Sequence, residues 1–320
     1  MNSWLYVASC AEDGGIYQLR FDGTQLGVHD FTPCPMPMYL FSSGDRLRAV
    51  LRHPFHEGQE SGVVTYHVAN DGSLSQISAV QSTKGICGCH LCELSGVWYV
   101  ANYLSGSVAS SSGMIDVHHG KGVDPVRQDG PHCHMVTLAP DGRFLLCTDL
   151  GLDTITTYTP SLNVVSVCHG EPGAGPRHLC VIDDHTVACV NELSCTLTLF
   201  SYLDGLLSPR SSLPLPFEKG SRAAAIKKDR NNLYVSVRGA NTISMFRIHG
   251  DELEPLQEIS CGGDSPRDIL VADGYLFSMN ERSSTVTYFP LDAEGRLKEM
   301  RGTVSIPKAL CGVARASYAY

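Results

Sequence analysis

Seven short apolar runs recur along the chain at a nearly constant spacing. Their starts lie about 41 to 52 residues apart, the spacing expected of one four-stranded propeller blade. The runs begin at Leu5, Arg46, Trp98, Phe144, Thr186, Leu233 and Tyr275. Self-similarity at a fixed period predicts a repeat architecture, here with seven units.

Each apolar run is flanked by further strand signals. A polar turn and a second run of alternating residues follow it, as in DTITTYTP and CTLTLFSYLDG, and several of these runs end in Asp-Gly. Another short run precedes most of them, as in HMVTLAPDGR, and a weaker fourth run such as LQEISC comes last. A sustained 3.6-residue period is missing, so little helix is expected.

We predict an all-β fold, a seven-bladed β-propeller of four-stranded antiparallel blades that spans residues 1–320 as a single domain. The first run, at Leu5, has no strand before it, whereas the tail KALCGVARASYAY has a strand pattern and no blade of its own. The tail is therefore expected to supply the innermost strand of the first blade. That pairing would close the ring and remove two exposed sheet edges.

Composition and targeting signals suggest a soluble cytoplasmic protein. The chain is 43% hydrophobic and 18% charged, has no uninterrupted apolar stretch near the length of a membrane span, and begins without a signal-peptide pattern. Its thirteen cysteines are odd in number and lie mostly inside apolar strand-like runs such as FLLCTD. Buried, reduced thiols in a cytoplasm are the expected state.

The net charge of −9 limits the possible partners. Nucleic acid and anionic membranes both favour a basic surface, so neither is expected as a partner. A small anionic substrate held by a few local arginines is compatible with this charge. The sequence leaves the oligomeric state open.

Several motifs, in order, resemble those of the seven-bladed propeller lactonases, a group that includes bacterial 6-phosphogluconolactonases and fungal carboxy-muconate cyclases. The motifs are GPHCHMVTLAPDGRFLLCTDLGLDTITTY, GAGPRHLCV with VNELSCTLTLF, LYVSVRGANTISMF, and SPRDILV. The resemblance covers essentially the whole chain. It implies a site in the central funnel and hydrolysis of 6-phosphoglucono-1,5-lactone, a step of the pentose phosphate route, without metal or organic cofactor.

The resemblance also implies four catalytic residues, which are His134, Arg177, Glu192 and Arg238. Two positions depart from the family pattern: Ala225 stands where relatives commonly carry an acid, and Val237 where many carry Asn. These departures leave the substrate less certain than the fold.

Residue chemistry supports the same four positions. Lactone opening needs an activated water and a stabiliser for the developing oxyanion. An imidazole titrates near working pH, which makes His134 the best general-base candidate, and arginine offers a permanent charge to an anion. Arg177 begins a strand and Glu192 ends its neighbour, so their fifteen-residue spacing predicts that they face each other. Glu192 could orient Arg177, orient the water, act as the base, or form only a structural ion pair.

Weaker signals concern substrate binding, metals and surface charge. The predicted substrate-binding residues are His132, His178, Arg267, Arg52, His90, Asn102 and Glu281. His132 and His134 could ligate a metal at i and i+2, but no third ligand follows at suggestive spacing, so no metal is predicted. Lys227, Lys228 and Arg230 are interpreted as a solvated turn.

Two alternatives to a 6-phosphogluconolactonase remain. The departures at Ala225 and Val237 allow an enzyme that forms or opens another carboxylated lactone, as in the muconate branch. A non-enzymatic binding scaffold is the other possibility, because a propeller fold alone does not determine function.

Overall fold

The computed structural model describes residues 3–250 and 252–315. Within these ranges 29 strands form seven antiparallel sheets, and no helix is present. The prediction of an all-β, seven-bladed propeller is confirmed. Accordingly, this part of the chain has no helix long and apolar enough to cross a membrane.

The seven blades follow one another in chain order, each with its inner strand named first here. Blade one contains β29 (Ala309–Ala314), β1 (Ser3–Ser9), β2 (Gly15–Phe21) and β3 (Leu26–Pro33). Blade two contains β4 (Pro37–Ser43), β5 (Arg46–Leu51), β6 (Glu60–Val68), β7 (Leu74–Gln76) and β8 (Gln81–Ile86). Blade three contains β9 (Gly88–Leu94), β10 (Val97–Asn102), β11 (Ser107–Ser110) and β12 (Ile115–Val117).

The remaining blades have the same four-strand order. Blade four contains β13 (Cys133–Leu138), β14 (Leu145–Asp149), β15 (Thr154–Tyr158) and β16 (Val164–His169). Blade five contains β17 (Pro176–Asp183), β18 (Thr186–Asn191), β19 (Thr196–Leu203) and β20 (Leu206–Pro214). Blade six contains β21 (Arg222–Asp229), β22 (Asn232–Arg238), β23 (Thr242–His249) and β24 (Glu252–Ser260). Blade seven contains β25 (Pro266–Ala272), β26 (Tyr275–Asn280), β27 (Thr285–Pro290) and β28 (Gly302–Ser305).

Blade two differs in its outer strand, which is in two pieces. Strand β7 pairs with the end of β6, at Tyr66–Val68, while β8 pairs with its beginning, near Gly62. Two short strands therefore share the outer edge of this blade, and both pair with β6, its long third strand.

The chain closes the ring with its last described strand. Strand β29 pairs antiparallel with β1, and Leu5 lies opposite Ala314. Inner strands of successive blades contact one another around the axis, including β29 with β4 and β25 with β29. The predicted closure by the tail is confirmed for Ala309–Ala314, whereas residues 316–320 lie outside the described residues.

The hydrophobic cores lie between adjacent blades. Between blades five and six, for example, Val190, Leu197, Val235 and Phe246 are buried together. Burial of each such side chain contributes roughly 1.5–3 kcal/mol. All thirteen cysteines are unpaired, twelve are buried, and Cys180 is half-buried, so the thiols mostly act as small core residues.

The predicted turn is wrong for two of its three residues, because Lys227 and Lys228 both lie within β21. Lys227 lies within β21 rather than in a turn, and its Nζ is 3.6 Å from the buried Asp268 Oδ1. Lys228 is exposed along most of its length and donates to the Ile182 carbonyl, and Arg230 is an exposed turn residue. The apolar alternation predicted a strand that ended too early, because β21 continues through polar residues to Asp229.

Candidate active site in the central channel

Every inner strand has a β-bulge at the same place, which turns one side chain towards the axis. A bulge leaves one residue without a partner on the neighbouring strand and re-aims its side chain. The seven bulge residues, in blade order, are Leu310, Met38, Cys89, His134, Arg177, Ala224 and Arg267. These seven positions form an inner ring of side chains around the channel.

The inner ring is chemically divided. Leu310, Met38 and Cys89 form an apolar, sulfur-rich arc from blades one to three, whereas His134, Arg177 and Arg267 supply the polar arc. Five members of the ring line a cavity of about 610 Å³ at one end of the channel. Arg177 borders the small space directly behind it.

A second ring stands above the first, formed by the residue that closes each second strand. In most blades its backbone N–H donates to a carbonyl just before the bulge, as in Arg52 to Met36 (3.1 Å) and Glu281 to Ser265 (2.9 Å). The seven residues of this second ring are Cys10, Arg52, Tyr103, Leu150, Glu192, Arg238 and Glu281. All except the fully buried Leu150 line the cavity.

A glycine fixes the entry to blade five. Gly175 has φ of +64°, donates to Asp153 Oδ1 at 2.7 Å and accepts from the Glu192 N–H at 2.7 Å. A Cβ there would clash with the Leu193 side chain at 2.6 Å. The turn therefore requires glycine, and it places Arg177 and Glu192 at the same end of their hairpin, as their spacing predicts.

Three arginines converge on the Glu192 carboxylate. Its Oε2 lies 3.1 Å from Arg177 Nε and 2.6 Å from Arg238 Nη2, and its Oε1 lies 2.7 Å from Arg127 Nη2. Arg177 also donates from Nη1 to the Ala224 carbonyl. The small residue in the inner ring of blade six thus leaves room for the guanidinium of its neighbour.

These contacts set the ionisation of Glu192. Burial alone would raise its pKa, but the guanidinium groups of Arg238, Arg177 and Arg127 hold that pKa well below its ordinary value. Burial, reinforced by the Arg238 charge, lowers the pKa of Arg177. Glu192 is therefore a carboxylate whose lone pairs are occupied by hydrogen bonds.

His134 has the opposite character. Its side chain is 5% exposed, and its Nδ1 has no hydrogen-bond partner among the described residues. Burial, followed by the charge of Arg177, lowers the pKa of His134 well below its ordinary value. The ring stands edge-on to Tyr103 and His178, with centroids 5.6 Å and 5.2 Å away. A neutral imidazole ring thus lines the cavity, although its unpartnered Nδ1 is itself buried.

The cavity is cationic although the chain is acidic. Its charged lining residues are Arg52, Arg127, Arg238, Arg267, Arg282 and Lys308, against Glu192 and Glu281. Arg267 Nη1 lies 3.4 Å from Glu281 Oε2, so part of this charge is locally balanced. The excess of positive charge favours an anionic ligand.

Comparisons with known proteins agree with this architecture. The sequence profile of the family described as "Lactonase, 7-bladed beta-propeller" matches residues 4–313. A relative from Bacillus subtilis, named 6-phosphogluconolactonase, is 30% identical over 281 residues, covering 79% of this chain and 80% of its own.

The chain belongs to the lactonase family of seven-bladed β-propellers.

Solved structures share the fold of this lactonase. A Bacteroides fragilis protein superposes with a TM-score of 0.89 at 24% identity, covering 98% of each chain. The periplasmic gluconolactonase of Pseudomonas aeruginosa gives a TM-score of 0.88 at 23% identity, covering 99% of each chain. As a lactonase the protein is an enzyme, which sets aside the non-enzymatic scaffold.

Seven of the predicted site residues come together in or beside the cavity of this lactonase. His134, Glu192, Arg238, Arg52, Arg267 and Glu281 line it, and Arg177 lies immediately behind Glu192.

Two of the predicted substrate-binding histidines lie at the opposite mouth of the channel. His90 and His178 line an opening of about 670 Å³ there, together with Tyr39 and Lys227. His90 packs on the Tyr39 ring at 4.1 Å and on His178 at 5.5 Å. The inner strands run from one mouth to the other, so residues one step past the bulge face away from the cavity.

Two further predictions of substrate binding do not match the geometry. Asn102 is fully buried between blades and bonds to Ser107 Oγ and the Thr83 carbonyl. It precedes the cavity-facing Tyr103, and successive strand side chains point in opposite directions. His132 stacks on Tyr103 with centroids 4.4 Å apart and lies outside the cavity lining.

Several cavity residues were not predicted from the sequence. Arg127 reaches Glu192 from the loop between β12 and β13, which Gln128 anchors through the Val123 N–H and the Leu150 carbonyl. Lys308 and Arg282 also line the cavity from connections between strands. None of these residues belongs to the repeating strand pattern, so only the Asp-Pro turn before Arg127 signalled an ordered loop.

Proposed function

We propose that this lactonase hydrolyses 6-phosphoglucono-1,5-lactone to 6-phosphogluconate in the central cavity. The observation that carries the proposal is the pairing of a neutral imidazole that lines the cavity, on His134, with an arginine-bound carboxylate and a surplus of cations around the same cavity. The name of the Bacillus subtilis relative supports the same substrate.

His134 acts as the general base in this mechanism. It takes a proton from water as the water oxygen attacks the lactone carbonyl carbon. The bond from that carbon to the ring oxygen then breaks, and the imidazolium returns the proton to the departing oxygen. The product acid ionises and releases one proton to solvent. General-base assistance of this kind contributes roughly 10²–10⁴ in rate.

Arg238 stabilises the oxyanion that forms during the attack. It lines the cavity, and its Nη2 is held by Glu192 Oε2 at 2.6 Å. A guanidinium fixed in advance stabilises developing charge without reorganising at the moment of reaction. Its predicted role as a catalytic residue is retained.

Glu192 and Arg177 act as positioning residues. Because three guanidinium groups bond to the Glu192 carboxylate and keep its pKa low, the proton goes to His134 rather than to Glu192. Arg177 bonds from behind the cavity to Glu192 Oε2, the oxygen that Arg238 also bonds. Of the roles left open for Glu192, orienting the arginines is the one that these contacts favour.

The phosphate is placed against the cations that Glu192 does not engage. Arg52, Arg282 and Lys308 line the cavity, and no ion pair joins them to a carboxylate among the described residues. A phosphate dianion binds well to several cationic donors. The apolar arc of Leu310, Met38 and Cys89 faces the carbon skeleton of the sugar.

A rate assay tests the proposal. Purified protein should accelerate proton release from freshly made 6-phosphoglucono-1,5-lactone, and should act more slowly on glucono-1,5-lactone, which lacks the phosphate. His134→Gln provides the inactive comparison and His132→Gln the matched active one. Failure to exceed the spontaneous rate with the phosphorylated lactone would refute the proposal.

A carboxylated lactone of the muconate type remains the second candidate, because the same cations would hold a carboxylate. Its sequence support is weakened by the positions of Ala225 and Val237, which are both fully buried and outside the cavity lining. Measuring both lactones side by side under the same conditions separates the two substrates.

We further propose that the reaction serves the oxidative pentose phosphate route in the cytoplasm. The unpaired state of all thirteen cysteines fits a reducing compartment. One structural relative is named a periplasmic gluconolactonase, so cell fractionation is the relevant test. Recovery of the protein in the periplasmic fraction would refute this location.

A further inference from the structure

A buried cluster of metal-binding side chains lies between blades three and four, outside the central cavity. His118 follows β12, Cys133 begins β13 and Asp149 ends β14. Their Nδ1, Sγ and Oδ2 atoms all lie within 4.8 Å of one another. Cys133 and Asp149 are fully buried, and the His118 side chain is 8% exposed.

We propose that His118 Nδ1, Cys133 Sγ and Asp149 Oδ2 form a zinc-binding site. Nitrogen, sulfur and oxygen donors together are typical of zinc, and three protein ligands leave a fourth tetrahedral position for water. The site is independent of the proposed lactone hydrolysis, which uses none of these residues.

The distances between the three donor atoms suit a tetrahedral ion. Ligand atoms at the usual zinc bond lengths would stand about 3.3–3.6 Å apart. Cys133 Sγ lies 3.4 Å from His118 Nδ1 and 3.7 Å from Asp149 Oδ2. Only the 2.6 Å separation of His118 Nδ1 and Asp149 Oδ2 must widen, by roughly 0.7 Å.

The hydrogen bonds at the other ring nitrogen of His118 orient its imidazole towards the cluster. Its Nε2 lies 2.5 Å from the Tyr158 hydroxyl, which donates to Asp116 Oδ2 at 2.7 Å. Since that hydroxyl has only one proton, Nε2 must donate its own proton to Tyr158. A zinc ion would take the place of the proton that His118 Nδ1 shares with Asp149 Oδ2 at 2.6 Å, and Nε2 then has the outer hydrogen bond typical of metal-bound histidine.

Asp149 is oriented in the same manner. Its Oδ1 accepts from the backbone N–H groups of His132 (2.7 Å), Gly151 (2.9 Å) and Leu152 (3.1 Å). These bonds hold the carboxylate so that Oδ2 points at His118 and Cys133. Fixed outer contacts of this kind orient a ligand and increase metal affinity.

The other blades show that this carboxylate departs from the repeat. Asn102, Asn191 and Asn280 occupy the position of Asp149 in blades three, five and seven. Each of them donates to a Ser or Thr hydroxyl of its own blade. Blade four alone among these has a carboxylate there, and it faces a histidine and a thiol.

The proposed zinc site borders an opening to solvent, and it adjoins the segment that contains Arg127. A side opening of about 680 Å³, lined by Asp116, His118 and Tyr158, reaches the His118 edge of the cluster from outside. His118 and Cys133 flank the segment 119–132, which contains the Arg127 that contacts Glu192. A bound ion would pin both ends of that segment.

Cobalt substitution in the purified full-length protein tests the proposal. After chelation, Co²⁺ should bind at about one equivalent per chain and produce thiolate-to-cobalt charge-transfer absorption, which Zn²⁺ then abolishes. Zn²⁺ should also raise the melting temperature of the chelated protein, whereas Mg²⁺ should not. Absence of the absorption band, or equal stabilisation by Mg²⁺, overturns the proposal without needing any variant.

Variants locate the ion. Cys133→Ser and His118→Gln should abolish the cobalt band and the zinc-induced rise in melting temperature. His119→Gln, next in sequence and lining the same opening, should retain both, as should Cys10→Ser in the central cavity. Loss of the band in Cys10→Ser, or its survival in Cys133→Ser, would place the ion elsewhere and overturn the proposal.

Discussion

Arg177 and Glu192 lie at the same end of one hairpin with Arg177 Nε 3.1 Å from Glu192 Oε2, and both side chains are almost completely buried. Arg238 and Arg127 bond to the same carboxylate. One negative charge therefore holds three positive ones at the base of the cavity. Removing it exposes the mutual repulsion of these arginines.

We expect Glu192→Gln to impair both stability and catalysis. Breaking a buried ion pair by neutralising one partner typically costs about 3–5 kcal/mol of unfolding free energy, because the remaining charge stays buried and unpaired. The kcat should also fall, since Arg238 loses the contact that positions it. Urea denaturation and the lactone assay measure the two effects separately.

Glu281→Gln is the matched control for that experiment. Glu281 also contacts a cavity arginine, Arg267, but their side chains are 32% and 25% exposed. Solvent-exposed ion pairs contribute about 1 kcal/mol or less, so the unfolding free energy should barely change. Equal destabilisation by the two substitutions would contradict the assigned importance of the Glu192 cluster.

His134 should determine the pH dependence of the rate. Because burial lowers the pKa of His134, the imidazole stays neutral below pH 6.5, and kcat/KM should hold its plateau further into acid than an ordinary histidine allows. His134→Gln should lower kcat by roughly 10²–10⁴ and remove the acid limb, with partial rescue by added imidazole. A plateau that ends near pH 6.5, or an unaffected variant, would exclude this base.

Three buried histidines should make the fold sensitive to mild acid. Burial lowers the pKa values of His90, His134 and His178 well below the ordinary value. The unfolded chain then binds more protons than the native one below about pH 6.5, so stability falls as the pH falls, by roughly 1.4 kcal/mol per pH unit for each histidine. Denaturation at several pH values between 5 and 7 measures the slope.

Single substitutions apportion this slope. His90→Gln should remove about one third of the slope of the unfolding free energy against pH. Above pH 7 the unfolding free energy of this variant should no longer change with pH through these histidines, which gives the reference value. His53→Gln changes an exposed histidine and should leave the slope unchanged. A slope insensitive to His90 would show that other groups cause the acid lability.

The period of the strand pattern was enough to predict the seven blades and their closure by the tail. It was also enough to predict that Arg177 and Glu192 meet, because the ends of a hairpin are paired by its register. The bulges were not predictable in this way. A bulge shifts the alternation by one residue, so His90, which follows the bulge residue Cys89, lies at the opposite mouth of the channel. Asn102 points away from the cavity for a simpler reason, because it lies one residue before the cavity-facing Tyr103.

Site residues that lie in loops could not be predicted from the sequence for a different reason. Arg127 reaches Glu192 only because Gln128 and Asp124 fold its loop through backbone hydrogen bonds. His118 likewise meets Cys133 and Asp149 across a blade boundary. Such contacts depend on the packing of neighbouring blades, which the periodicity of a single chain does not encode.

The phosphate end of the cavity should determine substrate choice. Arg52→Gln and Lys308→Gln each remove a cation that no carboxylate engages among the described residues, and we expect KM for 6-phosphoglucono-1,5-lactone to rise about ten- to hundredfold, the usual effect of losing a charge-assisted hydrogen bond. The kcat should change little, because neither residue touches the reacting carbonyl. KM for glucono-1,5-lactone should stay constant, since that lactone has no phosphate for these cations to bind.

Arg46→Gln, which changes an exposed arginine outside the cavity, is the matched control. Equal losses on both lactones would show that these cations act on the ring or the fold rather than on the phosphate.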